Sequence, residues 1–172
     1  MGPTDQMETP SHWRWRAEPV DGPGPAVIVD IDGVLSDATG RQHFLGADAR
    51  GKKDWRGFFD ACGDDPLLED VAALVEVVDR DVLVVLLTGR PVRVQPQTLG
   101  WLERYGLRWD LLVMRNTGNY TNSPEFKRLT VKELRERGFE IKVAFEDDHR
   151  NIEMFRSEGV PCVYIHSGYY DN

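Results

Sequence analysis

The stretch Val27-Ile28-Val29-Asp30-Ile31-Asp32-Gly33-Val34-Leu35 constrains this chain more than any other. Its β-branched apolar run reads as a strand buried on both faces of a parallel sheet. The run ends in two aspartates spaced i, i+2 and then a glycine. Alternate residues of a strand point the same way, so both carboxylates are expected to face one crevice at the strand's C-terminal end. Gly33 lets the backbone turn sharply there. Two carboxylates that close repel each other unless a cation sits between them or one takes a proton. The pattern suits a Mg²⁺-assisted attack on a phosphoryl group, with one aspartate as nucleophile and the other as proton carrier. The competing reading is an Asp-Gly turn that merely closes a strand, and three downstream signals weigh against it.

The first is Val82-Leu83-Val84-Val85-Leu86-Leu87-Thr88-Gly89-Arg90, a second buried strand ending in a hydroxyl, a glycine and an arginine. Hydroxyl and backbone N–H groups at such a turn can hold phosphate oxygens, and a guanidinium can clamp them bidentately. The second is a lysine at the start of a helix, in Asn122-Ser123-Pro124-Glu125-Phe126-Lys127, with Lys132 as a competitor on identity alone. A cation there would screen the charge of an attacking carboxylate and of a phosphate. The third is Val143-Ala144-Phe145-Glu146-Asp147-Asp148-His149-Arg150, where three acids crowd another strand end. Such crowding is costly unless neutralised, and Mg²⁺ takes hard oxygen ligands of this kind. Helix capping by Asp147 or Asp148 accounts for one acid and less well for three.

These elements sit in an alternating pattern. Strands are expected at 26–30, 82–87, 110–114, 142–146 and 161–165, with helices near 67–80, 96–105, 124–137 and 149–158. Alternation of this kind implies an α/β fold, a Rossmann-like parallel sheet with helices on both faces. The 172 residues support one ordinary domain, expected at 26–172. Residues 1–25 hold five of the ten prolines and read as a tail or arm. Within that arm Trp13 and Trp15 either pack back on the domain, which we favour, or offer stacking contacts to a nucleotide. Hydrophobic content of 41% and charged content of 29% are those of a soluble globular protein. No apolar run approaches the ~20 residues of a membrane span. The first ten residues carry no secretory-signal pattern, and two distant cysteines, Cys62 and Cys162, give no disulfide framework, so a cytoplasmic location is expected.

In this order the motifs resemble the four signatures of the haloacid-dehalogenase (HAD)-like phosphatase superfamily, over roughly residues 26–168. The resemblance implies that Asp30 is the nucleophile of a phosphoaspartyl intermediate and that Asp32 protonates the leaving oxygen and then activates water. It implies that Thr88 and Lys127 hold the phosphate. Metal ligands would come from Asp30, Asp32 through its backbone carbonyl, Asp147 and the adjacent Asp148. The chain is more similar still to the 3′-phosphatase domain of polynucleotide kinase–phosphatases. Shared features are Gly40-Arg41 after the aspartate motif, Gly89-Arg90, Glu153-Met154-Phe155-Arg156 and Gly159-Val160-Pro161-Cys162 with Ser167-Gly168 after it. That family implies that Arg41, Gly89 and Arg90 contact the substrate phosphate, and its lysine-to-acid spacing selects Lys127 over Lys132. Glu146 stands where an aspartate is expected and Ser123 where an acid is expected. No Gly-x-x-x-x-Gly-Lys-Ser/Thr phosphate loop occurs in these residues, so the resemblance leaves a kinase or ligase as a separate partner.

Neither the segment after Leu35 nor the one after Thr88 is long enough for a cap domain, so a minimal cap or none is expected. An open site can admit a polymer end, and a homo-oligomer could equally cover it. From Arg41 to Arg56 five basic residues (Arg41, Arg50, Lys52, Lys53, Arg56) face Asp48 and Asp54, a local +3 on a chain of net −8. A field focused on one cleft can steer a polyanion despite the overall charge. The expected activity is removal of 3′-terminal phosphates from nucleic acid. A small-molecule or nucleotide phosphatase of the same fold and a weakly catalytic phosphate- or nucleic-acid-binding module remain as alternatives.

Overall fold

Strand β2 (Gly24–Val29) runs through the middle of a six-stranded sheet in a computed structural model that describes residues 8–46 and 51–171. The other strands are β1 (Trp13–Trp15), β3 (Leu83–Pro91), β4 (Leu111–Arg115), β5 (Phe139–Glu146) and β6 (Cys162–Tyr164), in the spatial order β1-β4-β3-β2-β5-β6. Strands β2 to β6 pair in parallel and β1 alone is antiparallel. The chain moves outward from β2 to β3 and β4, then returns to β2's other side with β5 and β6. Strand order therefore reverses at β2, and the crevice beyond its C-terminal end is where such sheets bind ligands. Asp30 is the next residue, tied in place by its N–H donating to the Phe145 carbonyl at 3.1 Å.

The apolar runs are continuous because both faces of the sheet are covered. Val27, Val29, Val84, Leu86, Leu112 and Met114 pack on one face with Val71 and Val75 of α2 (Glu69–Glu76) and Trp101 and Leu102 of α3 (Gln95–Arg104). The alternate residues Ala26, Ile28, Val85, Leu87, Leu111 and Val113 pack on the other. There they meet Phe126, Val131 and Leu134 of α4 (Ser123–Glu136) and Met154 and Phe155 of α5 (His149–Ser157). A short α1 (Trp55–Asp60) and the 3₁₀ segment Thr39–Leu45 fill the space between β2 and α2, and the described residues hold no separate cap domain.

Four elements depart from the expected bounds, one of them β5, which begins at Phe139 rather than 142. The segment read as an arm contributes β1, whose Trp13 is buried at 5% exposure and pairs with Val113. Trp15 stacks on Phe139 with ring centroids 6.0 Å apart, so both tryptophans serve packing. Helix α2 is shorter than 67–80: after Val77 the Asp79 carboxylate accepts from the Asp81 N–H and turns the chain. Strand β3 continues past Leu87 to Pro91 with a register irregularity between them. Thr88-Gly89-Arg90 thus lies inside a bulged strand, a device that re-aims side chains at the edge of a site.

Because Trp13 joins the edge strand to the core, Trp13→Ala should cost about 3 kcal/mol of unfolding free energy, the low end for a buried tryptophan. Urea unfolding measures it. A loss under ~1 kcal/mol would mean that β1 adds little to the sheet.

Candidate active site

Two charge clusters meet at the end of β2. In the first, the Lys127 ammonium lies 3.1 Å from Asp30 and donates to Glu146 Oε2 at 2.6 Å. Lys127 projects from the second turn of α4, whose start is fixed by Asn122 accepting from the Glu125 N–H. It is 2% exposed, whereas Lys132 points to solvent. Glu146 Oε1 accepts the N–H groups of Asp147 and Asp148 at 3.0 and 3.2 Å, so this glutamate is satisfied at both oxygens. Burial is the largest influence and would raise its carboxyl, but Lys127 together with the hydrogen bonds from Asp147 and the Asp148 N–H holds it below the usual range.

At Asp30 and Asp147 the compensation falls short of the cost of burial. Burial first, and then the Glu146 charge, raises the Asp30 carboxyl well above the usual carboxylate range. The same two causes push Asp147 up to about 8. Asp147 Oδ2 is buried without a hydrogen-bond partner, and one oxygen each from Asp30, Glu146 and Asp147 lies within 4.8 Å of the others. An orphaned carboxylate oxygen beside two more acids is a donor set that fits a hard divalent cation. Gly33 is needed twice at this spot: its φ is +80°, and a Cβ there would stand 2.1 Å from Asp147 Oδ2. Of the acids expected from sequence as metal ligands, Asp148 lies outside this grouping. Asp148 caps α5 by accepting from the Arg150 N–H at 3.0 Å and pairs with the Arg150 guanidinium at 2.7 Å, so its carboxylate is spent on the helix.

The second cluster surrounds Asp32. Arg41 and Arg90 donate to the same oxygen, Oδ1, from 2.7 and 2.6 Å, and Arg90 Nε adds a contact at 3.1 Å. Burial would raise the Asp32 carboxyl, but the two guanidinium groups outweigh it and hold it below the usual range. Its side chain is 21% exposed, the most open part of the cluster. Arg41 also donates to both oxygens of Asp65 and to the Phe58 carbonyl, and Arg90 to Thr98, Ser36 and Asp65. Arg41 is 3% exposed and Arg90 is not exposed at all. About four of the five N–H donors on each guanidinium have protein acceptors. In this structure the two arginines expected to clamp a substrate phosphate are engaged by Asp32 and Asp65.

Asp65 is the functional residue that the sequence reading missed. It is 4% exposed, binds both arginines and closely pairs with the Ser36 hydroxyl. The available signal was Asp64-Asp65-Pro66, two acids stranded between short elements with no cap or salt-bridge partner at helical spacing. Thr88 lies on the floor at 1% exposure, its hydroxyl accepting from the Arg90 N–H at 3.1 Å. Gly89 beside it is open, with nothing nearer than an Arg115 nitrogen 3.8 Å from the place of a Cβ. Ser123 accepts a hydrogen bond from buried Asn151 at 3.2 Å, filling by an amide contact the place where an acid was expected. Arg50 and Asp48 of the basic run lie outside the described residues; Lys53 and Arg56 are exposed at this side of the site, and Arg93 is paired with Asp60.

Known proteins share this fold. No curated relative matches the sequence. Among solved structures, one described as "Structure of Pnkp1/Rnl/Hen1 complex" is 25% identical with a TM-score of 0.71, covering 92% of this chain and 50% of that one. A second, "Structure of the Pnkp1/Rnl/Hen1 RNA repair complex", is 26% identical with a TM-score of 0.69 over 96% of this chain and 48% of that one. The chain thus spans about half the length of both. A class C acid phosphatase from Bacillus anthracis, 16% identical with a TM-score of 0.56 over 86% of this chain and 68% of that one, shares the fold. A family model for the polynucleotide kinase PNKP phosphatase domain matches residues 24–170, from the first residue of β2 to the segment beyond β6. With both charge clusters inside that match, the chain belongs to the PNKP phosphatase domain family and is a HAD-like phosphatase.

Proposed function

We propose that this phosphatase removes 3′-terminal phosphates from nucleic acid through a phosphoaspartyl intermediate on Asp30. One observation carries the assignment of roles: Asp30 shares the cation-fitting group with Glu146 and Asp147 and lies 3.1 Å from the Lys127 ammonium, whereas Asp32 is held on one oxygen by Arg41 and Arg90. A carboxylate beside a cation site stays ionised for attack, and one fixed outside that group is free to carry a proton. A divalent cation, Mg²⁺ in our reading, would be held by Asp30 and Asp147 with the Asp32 carbonyl, and would neutralise nucleophile and phosphate oxygens. Glu146 stands behind them, its charge answered by Lys127.

With Asp30 ionised, its free oxygen attacks phosphorus and forms an O–P bond while the bond to the leaving oxygen breaks. Thr88, the backbone at Gly89 and Lys127 hold the non-bridging oxygens. The departing alkoxide takes its proton from Asp32. Water then attacks the phosphoaspartate, Asp32 accepts the water's proton, and inorganic phosphate leaves with the Asp30 carboxylate restored. Asp32 rests deprotonated between its two arginines, so the resting site is prepared for the hydrolytic step. Protonation for the first step becomes easier when a phosphate dianion approaches, because like charge raises a carboxyl.

A polymer substrate is supported by the mouth. The described residues place no cap over it, and the half-exposed Trp55 ring lies beside Lys53, 5.9 Å from the lysine nitrogen, on the side of Arg41 and Phe58. An aromatic face with basic neighbours suits single-stranded nucleic acid. The complexes named among the similar structures place those proteins with RNA repair partners, and a separate kinase or ligase partner for this chain is part of the proposal.

Two tests follow from the division of labour. Asp30→Asn should abolish turnover of every phosphomonoester without unfolding. Asp32→Asn should lose turnover of an oligonucleotide, whose leaving alkoxide needs a proton, yet still label itself once with an aryl phosphate that needs none. Intact-mass measurement reads the phosphoryl adduct, and an adduct on Asp30→Asn would contradict the mechanism. For the substrate, a 3′-phosphorylated oligonucleotide should be cleaved at least ~10-fold faster in kcat/KM than its 5′-phosphorylated counterpart or a mononucleotide, one factor of ten being 1.36 kcal/mol of transition-state binding. Preference for the mononucleotide would favour a small-molecule phosphatase.

A further inference from the structure

Exposed aromatic rings gather at one end of this sheet. Among the described residues five Trp, Tyr or Phe side chains are exposed: Trp55, Tyr105, Tyr120, Tyr164 and Tyr170. Four of them lie at or beyond the C-terminal strand ends, where Asp30 and Asp32 stand; Tyr105, at the C-terminus of α3, is the exception. A single ring in water needs no explanation by itself. Trp55 is set apart by what holds it and by what surrounds it. It is 50% exposed, whereas Trp13, Trp101 and Trp109 are buried and Trp15 is half-buried.

One side of the Trp55 ring is packed. Phe59 lies nearly parallel to it with centroids 6.0 Å apart, and Phe58 meets it edge-on at 5.8 Å. Three contacts fasten the short helix α1 to the 3₁₀ segment that carries Arg41. The Asp54 N–H donates to the Phe44 carbonyl at 2.8 Å, and Arg41 donates to the Phe58 carbonyl at 2.9 Å. Gly57 fits closely against Phe44, since a Cβ there would stand 2.8 Å from its ring. The Arg41 guanidinium also lies over the Phe58 ring at 4.3 Å and holds Asp32 at 2.7 Å. Two contacts, Trp55 to Phe58 and Phe58 to Arg41, thus separate the open indole from the guanidinium on the proton carrier. The surroundings are basic. Lys53 Nζ stands 5.9 Å from the indole centroid, and the Arg56 side chain is 85% exposed. Arg56 and Arg93 share the acid Asp60, and Asp54 accepts from the Gly57 N–H to cap α1. Three cations therefore face two acids here, on a chain of net charge −8. An aromatic face fixed on one side, open on the other and flanked by cations suits a nucleobase with its phosphodiesters alongside, and those charges favour such a strand over an apolar protein surface.

We propose that Trp55 stacks on one of the last three bases of the substrate strand and so makes the enzyme selective for single-stranded 3′ ends. The inference rests on the polynucleotide reading of this site and names the contact that reads the polymer. With the terminal phosphate at Asp30, the strand would leave past Asp32 toward α1, where the indole takes a base and Lys53 and Arg56 lie along the backbone. A base inside a duplex is paired and stacked between its neighbours, so it reaches the indole only after the end frays. Every base has a π-face, so the contact selects the form of the strand and not its sequence.

The test compares wild type, Trp55→Ala and Trp55→Phe with Mg²⁺ on a 3′-phosphorylated oligonucleotide, single-stranded or in a blunt duplex, and on glycerol 2-phosphate, which has no ring. In Trp55→Ala, kcat/KM on the single strand should fall roughly 5- to 150-fold more than on glycerol 2-phosphate, the range for loss of one stacked base. Trp55→Phe, which keeps a ring, should lose less. The wild-type preference for the single strand over the duplex should narrow in Trp55→Ala. The single strand is then made abasic at each of its last three positions in turn. At one of them the Trp55→Ala penalty should disappear, because its partner is already missing. A penalty that persists at all three positions would overturn the proposal. So would an equal loss on glycerol 2-phosphate, which would mean that Trp55 acts only by holding Phe58 and Arg41. Binding gives a readout apart from turnover: a single strand ending in a 3′-hydroxyl should quench tryptophan fluorescence in wild type, since Trp55 is the exposed one of five tryptophans. Equal quenching in Trp55→Phe would contradict the stacking. The two readings fail separately: a wild type that turns over mononucleotides and not oligonucleotides counts against the polynucleotide reading, whereas unaltered oligonucleotide kinetics in Trp55→Ala count against this inference alone.

Discussion

The arrangement depends on one shared cation. Lys127 stands between Glu146 and Asp30 and lies closer to Glu146, at 2.6 Å against 3.1 Å. Glu146 also receives two backbone N–H groups, so it is the more fully satisfied of the two acids. Asp30 shares the lysine yet is still raised by burial and by Glu146, and Asp147 Oδ2 is buried without a hydrogen-bond partner. In a small sheet protein such a grouping is a liability for folding, because a carboxyl that must stay neutral favours the folded state only at low pH. The sign is the reverse of the usual acid. The folded form keeps a proton on Asp147 up to about pH 8, which the unfolded chain would release near the ordinary carboxylate value. Stability without a cation should therefore fall as pH rises between those limits, and a bound cation should remove the penalty.

The second cluster solves a different problem with the opposite charge balance. Asp32 has to stay in one orientation through two proton transfers, and two arginines on a single oxygen give it that fixity. The arginines in turn need Asp65, Ser36 and Thr98 to complete their hydrogen bonding, and Arg90 lies against Trp101 in the core with its guanidinium 5.9 Å from the ring. Replacing either arginine should thus disturb both the orientation of Asp32 and the packing around α3. Division into a metal-directed acid group and an arginine-held aspartate places nucleophile and proton carrier on one turn of chain while keeping their charges apart.

Most of this plan was legible in the sequence. Continuous apolar runs marked β2, β3, β4 and the end of β5 because both sheet faces are buried there, and Asp30, Asp32, Thr88 and Lys127 converge where those runs end. What escaped the sequence is what depends on long-range contact. Residues 13–15 show no run long enough to declare a strand, and only the open edge of β4 gives them one. Asp65 has no local motif; its role exists because Arg41 and Arg90, from two distant segments, need a common acceptor. The arginines themselves were legible as site residues, but whether a guanidinium faces a ligand or a carboxylate is decided by its neighbours in space. Asp148 was separable from Asp147 only by the capping geometry of α5, since adjacent acids at a strand end read alike.

The most direct measurement of the account is calorimetric titration of Mg²⁺ into the protein near pH 7, repeated in buffers of different ionisation enthalpy. With Asp30 and Asp147 raised by burial and by Glu146, cation binding should expel protons, and the net release should be positive and should shrink in Asp147→Asn but not in Asp148→Asn. Binding with no proton release, or equal effects of the two substitutions, would contradict the claim that incompletely compensated buried carboxylates form the centre of this site.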